Sequence, residues 1–474
     1  MKRLILLFSV GVLAAQMSAQ KITTTTASER WEIEKLSVLK KNVDKVNLSI
    51  SSDKTLQDIT GFGGTFNELG WEALQYITPE ERDDVMKSLY SKDGCNFNLA
   101  RTPVAASDYA FAYYSYCDIK DDYNMRNFSI SRDRYILIPY IKEALKLRPD
   151  LRIWASPWTP PAWMKINEHY SLRSLGTTNG EGHNRLDPKR ATHIHTTGFN
   201  MQVGYLQAYA LYFSKYIQEY KNNGVNIEMI MPQNEIAWQP AWPSCTWRPE
   251  DLAIFVGDYL GPQFEKDGLN TQIWLGTINY GNPDYVRSFF KHRTVGKYVK
   301  GIGIQWSGKQ ALPKLYKEYK GKYRFMQTEN ECGDGENNWG SLEHSWEAMV
   351  HCFNNGVNSY MYWNMVLDET GKSAWEWPQN SLVIIDRNKR TVRYTDEYYL
   401  MKHFSHFVEP GSRLIDTNGD KNVLAFRNPD GETVVVIYNP DNNDKKFVMS
   451  IDGKQYSLNL KAKSINTISD INKK

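Results

Sequence analysis

The chain has 474 residues, of which 57 are basic and 54 acidic, giving a formal net charge of +3. A charge this near zero, with no long block of lysine or arginine, excludes the electrostatic signature of proteins that bind nucleic acid or anionic membranes. Aromatic residues make up 13% of the chain, and its 15 Trp and 29 Tyr outnumber its 18 Phe. Rings with a polar group can pack in a core or stack on a sugar, and composition leaves both uses open.

The first residues have the pattern of a secretory signal peptide. A basic start at Lys2 and Arg3 leads into an apolar stretch from Leu4 to Ala15, and small residues come next. We therefore predict a signal peptide over residues 1–19 and an exported protein, either secreted or periplasmic. The apolar stretch is shorter than the roughly 20 residues that span a bilayer, and no later segment is long and uncharged enough, so we expect no transmembrane segment.

Residues 20–58 contain strand-like pieces that are too short to fold alone, Val46 to Ile50 among them. No low-complexity linker separates this segment from the rest of the chain. We expect it to join the β-sheet formed by the other end of the chain.

Residues 59–405 alternate between short apolar runs and longer amphipathic stretches, the pattern of repeated βα units around a parallel sheet. Eight runs are predicted strands: Gly61–Asn67, Asn96–Val104, Leu151–Pro157, Ile227–Gln233, Thr271–Asn279, Gly301–Trp306, Tyr323–Thr328 and Val357–Met365. Seven stretches are predicted helices: Pro79–Tyr90, Arg132–Leu147, Met201–Asn222, Pro249–Lys266, Tyr285–Arg293, Leu312–Tyr319 and Ser345–Asn355. Eight units favour a (β/α)8 TIM barrel. The alternative is an open doubly wound sheet, but no G-x-G-x-x-G sequence opens a helix after the first strand.

Residues 406–474 change to short strands separated by turn sequences. The predicted strands are Val423–Arg427, Thr433–Tyr438 and Lys446–Ile451. The sequence thus predicts a small antiparallel β module to which both chain ends contribute, packed tightly on the barrel.

Two predicted barrel strands lead directly into glutamates. Glu235 comes after the fourth strand and Glu329 after the seventh, 329 − 235 = 94 residues later. Catalytic residues of such barrels lie at the carboxyl ends of the strands, and two carboxylates facing one barrel mouth supply the pair that glycoside hydrolysis needs. A single glutamate at a strand end is more often a solvated or ion-paired residue. The hypothesis of glycoside hydrolysis therefore depends on the presence of both glutamates.

Tryptophans gather near the same predicted strand ends. Trp158 and Trp163 lie in the proline-rich segment from Ala155 to Lys165, which holds its rings in fixed orientations. One tryptophan alone is more often part of a core, but nine of the 15 on one predicted rim favour sugar stacking. The nine are Trp158, Trp163, Trp238, Trp242, Trp306, Trp339, Trp363, Trp375 and Trp377.

These residues resemble glycoside hydrolase family 30, which includes the glucosylceramidases and β-1,6-glucanases of bacteria and fungi. The resemblance runs from about residue 58 to the C-terminus. Its motifs are Gly61-Phe-Gly-Gly64, Arg101 to Tyr109, Ser156 to Lys165, Gln233-Asn234-Glu235, Thr328-Glu329 and Trp363-Asn364.

The resemblance implies a (β/α)8 barrel with a side β-sandwich and a retaining mechanism, in which Glu235 is the acid/base and Glu329 the nucleophile. By the same matching, further positions line the pocket for the sugar to be cleaved off: Arg101, Asp108, Trp158, Asn234 and Trp363. Trp306 is a further substrate-binding candidate from the tryptophan rim.

This chain departs from many relatives at the end of the sixth strand. It has Gln305-Trp306-Ser307 where they have His-Trp-Tyr, which puts the substrate in question. Glu331 is an alternative nucleophile, because alternation places it on the same strand face as Glu329. We favour Glu329 because it comes directly after the apolar strand.

The leading hypothesis is an exported retaining β-glycosidase acting on a β-linked oligo- or polysaccharide, with endo-β-1,6-glucanase first. Alternatives within the family are an exo-acting β-glucosidase or glucosylceramidase, a xylanase, and a β-fucosidase or β-xylosidase. A carbohydrate-binding protein without catalysis would keep the tryptophans but would not need both carboxylates.

No cofactor or metal is expected. The sequence has no H-E-x-x-H ligand pattern, and His193-Ile-His195 has no placed carboxylate partner. The five cysteines form no C-x-x-C pair, so no zinc or redox motif is predicted.

Overall fold

The computed structural model describes residues 20–175 and 184–472. The predicted signal peptide at residues 1–19 lies outside the described residues. Among those that are described, no helix combines the length and the apolar character needed to cross a membrane. All five cysteines belong to the described part, where each is buried and free of disulfide bonds.

Five short strands precede the barrel. They are β1 (Lys21–Thr25), β2 (Glu32–Lys35), β3 (Ser37–Val38), β4 (Leu48–Ile50) and β5 (Thr55–Asp58).

The next eight strands are parallel and close into a barrel, as predicted. They are β6 (Gly61–Thr65), β7 (Leu99–Pro103), β8 (Arg152–Ser156), β9 (Ile227–Ile230), β10 (Gln272–Ile278), β11 (Val299–Gln305), β12 (Arg324–Glu329) and β13 (Val357–Asn364). Helices cover their outer faces, so the strands are almost fully buried and their sequences form apolar runs. Seven large side chains fill the interior: Leu99, Trp154, Met229, Met231, Trp274, Met326 and Met361.

Twelve α-helices lie in the described residues. They are α1 (Glu68–Ala73), α2 (Pro79–Tyr90), α3 (Ser131–Tyr135), α4 (Leu137–Leu147), α5 (Val203–Asn222), α6 (Pro249–Ile254), α7 (Gly261–Lys266), α8 (Asp284–Phe289), α9 (Val295–Tyr298), α10 (Leu312–Tyr319), α11 (Trp339–Asn354) and α12 (Asp396–Ser405). A π-helical segment, Phe255–Leu260, joins α6 to α7. Short 3-10 turns occupy Leu74–Tyr76, Ala162–Met164, Pro188–Arg190 and Trp306–Gln310.

Nine more strands lie after the barrel. They are β14 (Val366–Asp368), β15 (Val383–Asp386), β16 (Thr391–Tyr394), β17 (Arg413–Ile415), β18 (Val423–Arg427), β19 (Thr433–Asn439), β20 (Lys445–Ile451), β21 (Lys454–Leu460) and β22 (Ser464–Ile471). Strands β14 to β16 form a small separate sheet that the sequence did not predict.

The side β-sandwich draws on both chain ends, which confirms the prediction. One sheet has the order β2-β1-β22-β19-β18-β17-β5 and the other the order β3-β21-β20-β4. Strand β1 pairs antiparallel with β22, so that Lys21 lies opposite Ser469. Apolar side chains such as Ile22, Val435 and Met449 fill the space between the two sheets.

Candidate active site

A cavity of about 1030 Å³ opens at the carboxyl ends of the barrel strands. Its lining includes Asp108 after β7, Asn234 and Glu235 after β9, and Glu329 at the end of β12. The two predicted glutamates therefore share one cavity at the end of the barrel where catalysis takes place in this fold. Its volume is at the upper end of the range for small-molecule sites.

Both carboxylate oxygens of Glu329 accept hydrogen bonds. Nη1 of Arg101 donates to Oε2 at 2.5 Å, and the indole Nε1 of Trp306 donates to Oε1 at 2.9 Å. Charge-assisted bonds of this kind fix a carboxylate in one orientation. The Glu329 side chain is thus buried and held in one orientation at the cavity.

The Arg101 guanidinium is completely buried behind the cavity wall. Burial lowers the pKa of Arg101, and the charge of Glu329 opposes that change. Its remaining partners are the Ser156 hydroxyl at 2.8 Å and Asn234 Oδ1 at 2.6 Å, together with the rings of Trp154, Trp158 and Trp363 at 4.7, 4.5 and 5.4 Å. Arg101 therefore touches Glu329 and Asn234 at once and is held by aromatic faces on its other sides.

Glu235 has a different environment. Its backbone N–H donates to Thr277 Oγ1 at 3.0 Å, and its φ of 51° lies in the left-handed region that non-glycine residues seldom adopt. Burial, the charge of Glu329 and the charge of Asp108 raise the pKa of Glu235 well above the usual value.

Trp306, like Glu235, has a left-handed φ, at 46°. Such strained residues cluster at functional sites.

The Asn234 side chain is fixed by the donors around its carbonyl oxygen. Oδ1 accepts from Arg101, from Thr277 Oγ1 at 3.2 Å and from Gln305 Nε2 at 3.2 Å. Because three donors meet this oxygen, the amide NH₂ group points the other way and remains available to donate to a ligand.

Asp108 lies on the cavity wall and is almost completely buried. Burial and the nearby charge of Glu329 raise its pKa to about 8. Its Oδ1 atom has no hydrogen-bond partner within the described residues. A buried carboxyl with an unpaired oxygen is suited to a hydrogen bond from or to a bound hydroxyl group.

Five of the nine predicted rim tryptophans line the cavity: Trp158, Trp238, Trp242, Trp306 and Trp377. Trp363 lies behind the wall and stacks on Trp158 with ring centroids 5.0 Å apart. Trp163, Trp339 and Trp375 do not line the cavity, so the predicted rim is partly wrong. Trp163, for example, is buried and its Nε1 donates to the carbonyl of Cys117 at 2.9 Å, because its loop folds back on the core.

The structure separates Glu331 from the cavity. Lys309 Nζ contacts its Oε1 at 2.5 Å and His344 Nε2 its Oε2 at 2.7 Å. Strand β12 ends at Glu329, so the alternation that would carry Glu331 to the same face does not continue.

Several site residues were missed from the sequence. Ser156 and Thr277 lie at or near the ends of β8 and β10, where the strand-end rule could have found them. Gln379 lines the cavity from the segment between β14 and β15, which carries no strand or helix pattern in the sequence.

Comparison with known proteins is consistent with this geometry. The family model for the glycosyl hydrolase family 30 TIM-barrel domain matches residues 59–408, and that for the family 30 beta sandwich domain matches residues 411–468. The chain is 26% identical over 460 residues to putative glucosylceramidase 3 of Caenorhabditis elegans, covering 91% of this chain and 83% of that protein. It is also 26% identical over 440 residues to endo-1,6-beta-D-glucanase neg1 of Aspergillus fumigatus, covering 87% and 84%. A solved structure of an endo-β1,6-glucanase is similar with a TM-score of 0.79 at 24% identity, covering 96% of this chain and 99% of that one.

Proposed function

The chain belongs to glycosyl hydrolase family 30, and on this basis we propose that it is an exported, retaining endo-β-1,6-glucanase. The observation that supports the mechanism most directly is the contrast between two carboxyls in one cavity. Glu329 accepts hydrogen bonds from a guanidinium and an indole, whereas burial and negative charge raise the pKa of Glu235. Two carboxyls whose environments differ in this way are suited to different roles in one reaction.

Glu329 is the proposed nucleophile. Arg101 and Trp306 hold its oxygens, so the carboxylate needs little rearrangement to attack the anomeric carbon. The attack forms a glycosyl-enzyme ester and breaks the bond to the leaving oxygen, as in retaining glycosidases.

Glu235 is the proposed acid/base. Its raised pKa keeps the carboxyl protonated near neutral pH, so that it can protonate the leaving oxygen. Formation of the ester removes the negative charge of Glu329, which lowers the proton affinity of Glu235. Glu235 can then accept a proton from the water that hydrolyses the ester, and the cycle closes.

Asn234 and Asp108 are the proposed contacts to the sugar being transferred. The Asn234 NH₂ group is free to donate to the 2-hydroxyl, a contact that strengthens in the oxocarbenium-like transition state. Asp108, with its unpaired oxygen, is placed to bind further hydroxyl groups of the same sugar. Trp158, backed by Trp363, adds an aromatic surface at the same wall.

The size and lining of the cavity support a substrate longer than one sugar. Trp238 and Trp377 are 47% and 44% exposed, which leaves ring faces available beyond the two glutamates. Asn279, Asn282 and Gln310 bring polar groups to the same part of the lining. Rings and amides together suit a neutral polysaccharide, and the similarity to an endo-1,6-beta-D-glucanase supports the proposed linkage.

A second candidate is an exo-acting β-glucosidase of the glucosylceramidase type. It is favoured by the apolar part of the lining, to which Ile194, Ala237 and Pro283 contribute, and by the similarity to putative glucosylceramidases. Such a lining suits an aglycone with hydrocarbon character.

The substrate is tested by incubating purified protein with β-1,6-glucan, β-1,3-glucan, xylan, glucosylceramide and aryl β-glycosides. We expect a ladder of β-1,6-linked oligomers whose new reducing ends have the β configuration at first. Release of glucose alone would select the exo-acting candidate, and cleavage of none of these substrates would contradict the proposal.

The nucleophile is tested by Glu329→Gln, with Glu331→Gln as the matched control. Glu329→Gln should lower kcat by more than about a thousandfold and prevent labelling by a mechanism-based fluoroglycoside. Glu331→Gln should retain labelling, because its carboxylate binds Lys309 and His344 away from the cavity. Labelling of the Glu329→Gln protein would refute the assignment.

Export is proposed from the sequence of residues 1–19. N-terminal sequencing of the protein secreted by a bacterial host should begin near residue 20. An unprocessed N-terminus would contradict this part of the proposal.

A further inference from the structure

A second cavity, of about 570 Å³, lies at the opposite end of the barrel from the two glutamates. It is lined by the first residues of three barrel strands, Arg152 of β8, Gln272 of β10 and Arg324 of β12. Strands β5 and β17 of the side sheet close it with residues that include Asp58 and Arg413. The cavity, which we call the floor cleft, is therefore formed jointly by the barrel and the edge of the sandwich.

The floor cleft is strongly basic. Its lining contains five basic side chains, Arg152, Lys300, Lys322, Arg324 and Arg413, and one acidic side chain, Asp58. The near-zero charge of the whole chain conceals this local excess, because acidic residues elsewhere balance it. Like charges around a concave surface focus a positive potential into it.

Carboxylates neutralise two of these cations. Arg324 pairs with Asp58 at 2.7 Å, and Arg152 pairs with Glu228 at 2.6 Å. Lys300, Lys322 and Arg413 form no ion pair with any carboxylate in the described part of the chain. Lys300 donates to the carbonyl of Lys297, and Arg413 donates to Thr55 Oγ1 at 2.9 Å. All three are exposed at the cleft, so their charge is available to a ligand.

Aromatic rings form the apolar part of the same cleft. Trp274 lies against Gly301 so closely that a Cβ atom there would be 2.4 Å from the ring. Tyr316 lies against Gly356 in the same way, at 2.1 Å, and Gly356 has a φ of +87°. A larger residue at Gly301 or Gly356 would require the ring or the backbone to shift. The two glycines thus allow the rings to pack directly on the backbone.

We propose that the floor cleft is a second saccharide-binding site, specific for acidic sugars that carry a carboxylate or sulfate group. The partly exposed ring of Tyr316 supplies apolar surface for the sugar beside the covered edge of Trp274, and Lys300, Lys322 and Arg413 bind its anionic group. The catalytic cavity, in contrast, has three carboxyl groups, Asp108, Glu235 and Glu329, around its reaction centre and is proposed to bind a neutral polysaccharide. The two ends of the barrel therefore select saccharides of different charge, and the proposal does not depend on which linkage the enzyme cleaves.

The test is isothermal titration calorimetry of the whole protein at low ionic strength. The probes are an oligogalacturonate, a sulfated oligosaccharide and sodium sulfate as the ion alone. We expect the acidic oligosaccharides to bind at least about tenfold more tightly than sulfate, and their binding to weaken as salt is added. No binding of either acidic oligosaccharide would overturn the proposal. Equal affinity for sulfate and for the oligosaccharides would show that the cleft binds only the anionic group, and this result would also overturn the proposal.

Charge variants locate the site. Lys300→Glu/Lys322→Glu should weaken binding of the acidic oligosaccharide by about tenfold or more, and Lys300→Gln/Lys322→Gln by a smaller factor. The matched control is Lys35→Glu/Lys446→Glu, which reverses two exposed lysines, one of them on β2 at the sheet edge opposite to β17 and β5, and should change affinity less than about twofold. The melting temperature of each variant verifies folding, and the Gln pair serves if the Glu pair fails to fold. Equal weakening by the cleft and control variants would overturn the assignment to the floor cleft.

Discussion

At the scale of single residues, the proposed chemistry depends on what surrounds each carboxyl. Glu329 accepts a hydrogen bond at each oxygen, while Glu235 lies near two other carboxyls and is anchored through its backbone N–H by Thr277. Arg101 connects the two environments, because it bonds to Glu329 and also to Asn234, the neighbour of Glu235 in the chain. Removing the charge of Glu329 should therefore change the pKa of Glu235.

The first prediction concerns the pKa of Glu235 in Glu329→Gln. Burial is the largest cause of its raised pKa and the charge of Glu329 is the next. Removing that charge should lower the pKa of Glu235, although burial keeps it above the value of a free glutamate. The measurement is a titration followed by NMR of protein labelled with ¹³C at glutamate carboxyls. Glu331→Gln should leave the Glu235 signal unchanged, and an equal effect of both variants would contradict the coupling.

The second prediction concerns the indole donor of Trp306. Trp306→Phe keeps an aromatic ring but removes the hydrogen bond to Glu329 Oε1. A hydrogen bond to a charged group contributes about 1.5–3 kcal/mol, so kcat/KM should fall roughly 10- to 150-fold, mainly through kcat. Trp238→Phe, on the same cavity wall without a bond to Glu329, should act mainly through KM. If both variants lost kcat equally, Trp306 would have no special effect on Glu329, the proposed nucleophile.

The two glutamates could be predicted because strand-end position depends only on local pattern and barrel topology. Their partners were harder to predict. The sequence does not indicate that Ser156 accepts from Arg101, or that Thr277 bonds to both Asn234 and Glu235, since these contacts join strands that are far apart in the chain. The position of the Glu331 carboxylate was unpredictable for the same reason, because Lys309 and His344 from other parts of the chain bind it.

At the scale of secondary-structure elements, local sequence signals predicted the first and last residues of helix α2 correctly. Helix α2 begins at Pro79 after a capping box between Thr78 and Glu81, and the sequence shows the same pattern. The helix predicted over Arg132–Leu147 is instead two helices, α3 and α4, because Ile136 leaves the helical conformation with φ −125° and ψ −72°. The small sheet of β14 to β16 was missed because its strands have only three or four residues each.

The third prediction belongs to helix α12, which joins the barrel to the sandwich through His403. Its ring nitrogens bond to Thr467 of β22 and Thr25 at 2.8 and 2.9 Å, and Trp31, Lys402 and His406 also face it. Burial lowers the pKa of His403 to about 3. Between about pH 6.5 and 3 the unfolded chain therefore takes up a proton that the folded protein does not. The contribution of His403 to the free energy of unfolding therefore decreases by about 1.4 kcal/mol per pH unit as the pH falls through that range.

Chemical denaturation between about pH 7 and 4 measures this effect. The His403→Gln side chain keeps a donor and an acceptor but does not titrate. The free energy of unfolding of this variant should therefore fall less steeply as the pH is lowered than that of the wild type. The exposed His193 provides the control, since His193→Gln should leave the slope unchanged. Equal slopes for all three proteins would show that His403 is not neutral in the folded state.

At the scale of the whole molecule, one apolar core extends from the barrel into the side sandwich. Phe353 of α11 and Phe404 of α12 both contact Phe426 of β18, with ring centroids 5.9 and 6.0 Å apart. Trp346 of α11 likewise contacts Tyr438 of β19 at 5.8 Å. The sequence indicated tight packing only through the absence of a linker, because residues that meet across two folded units leave no local pattern.

The fourth prediction concerns this shared core. Phe426 is fully buried, and Phe426→Ala should cost about 3–5 kcal/mol, because a cavity replaces its ring. Since the ring packs against α11 and α12, we expect one cooperative unfolding transition that shifts as a whole to lower temperature. Calorimetry together with the loss of hydrolytic activity on heating tests this, with Tyr135→Ala as the control because Tyr135 is 81% exposed and should leave the midpoint nearly unchanged. Two separate transitions, of which only one shifts in Phe426→Ala, would mean that the sandwich unfolds independently of the barrel.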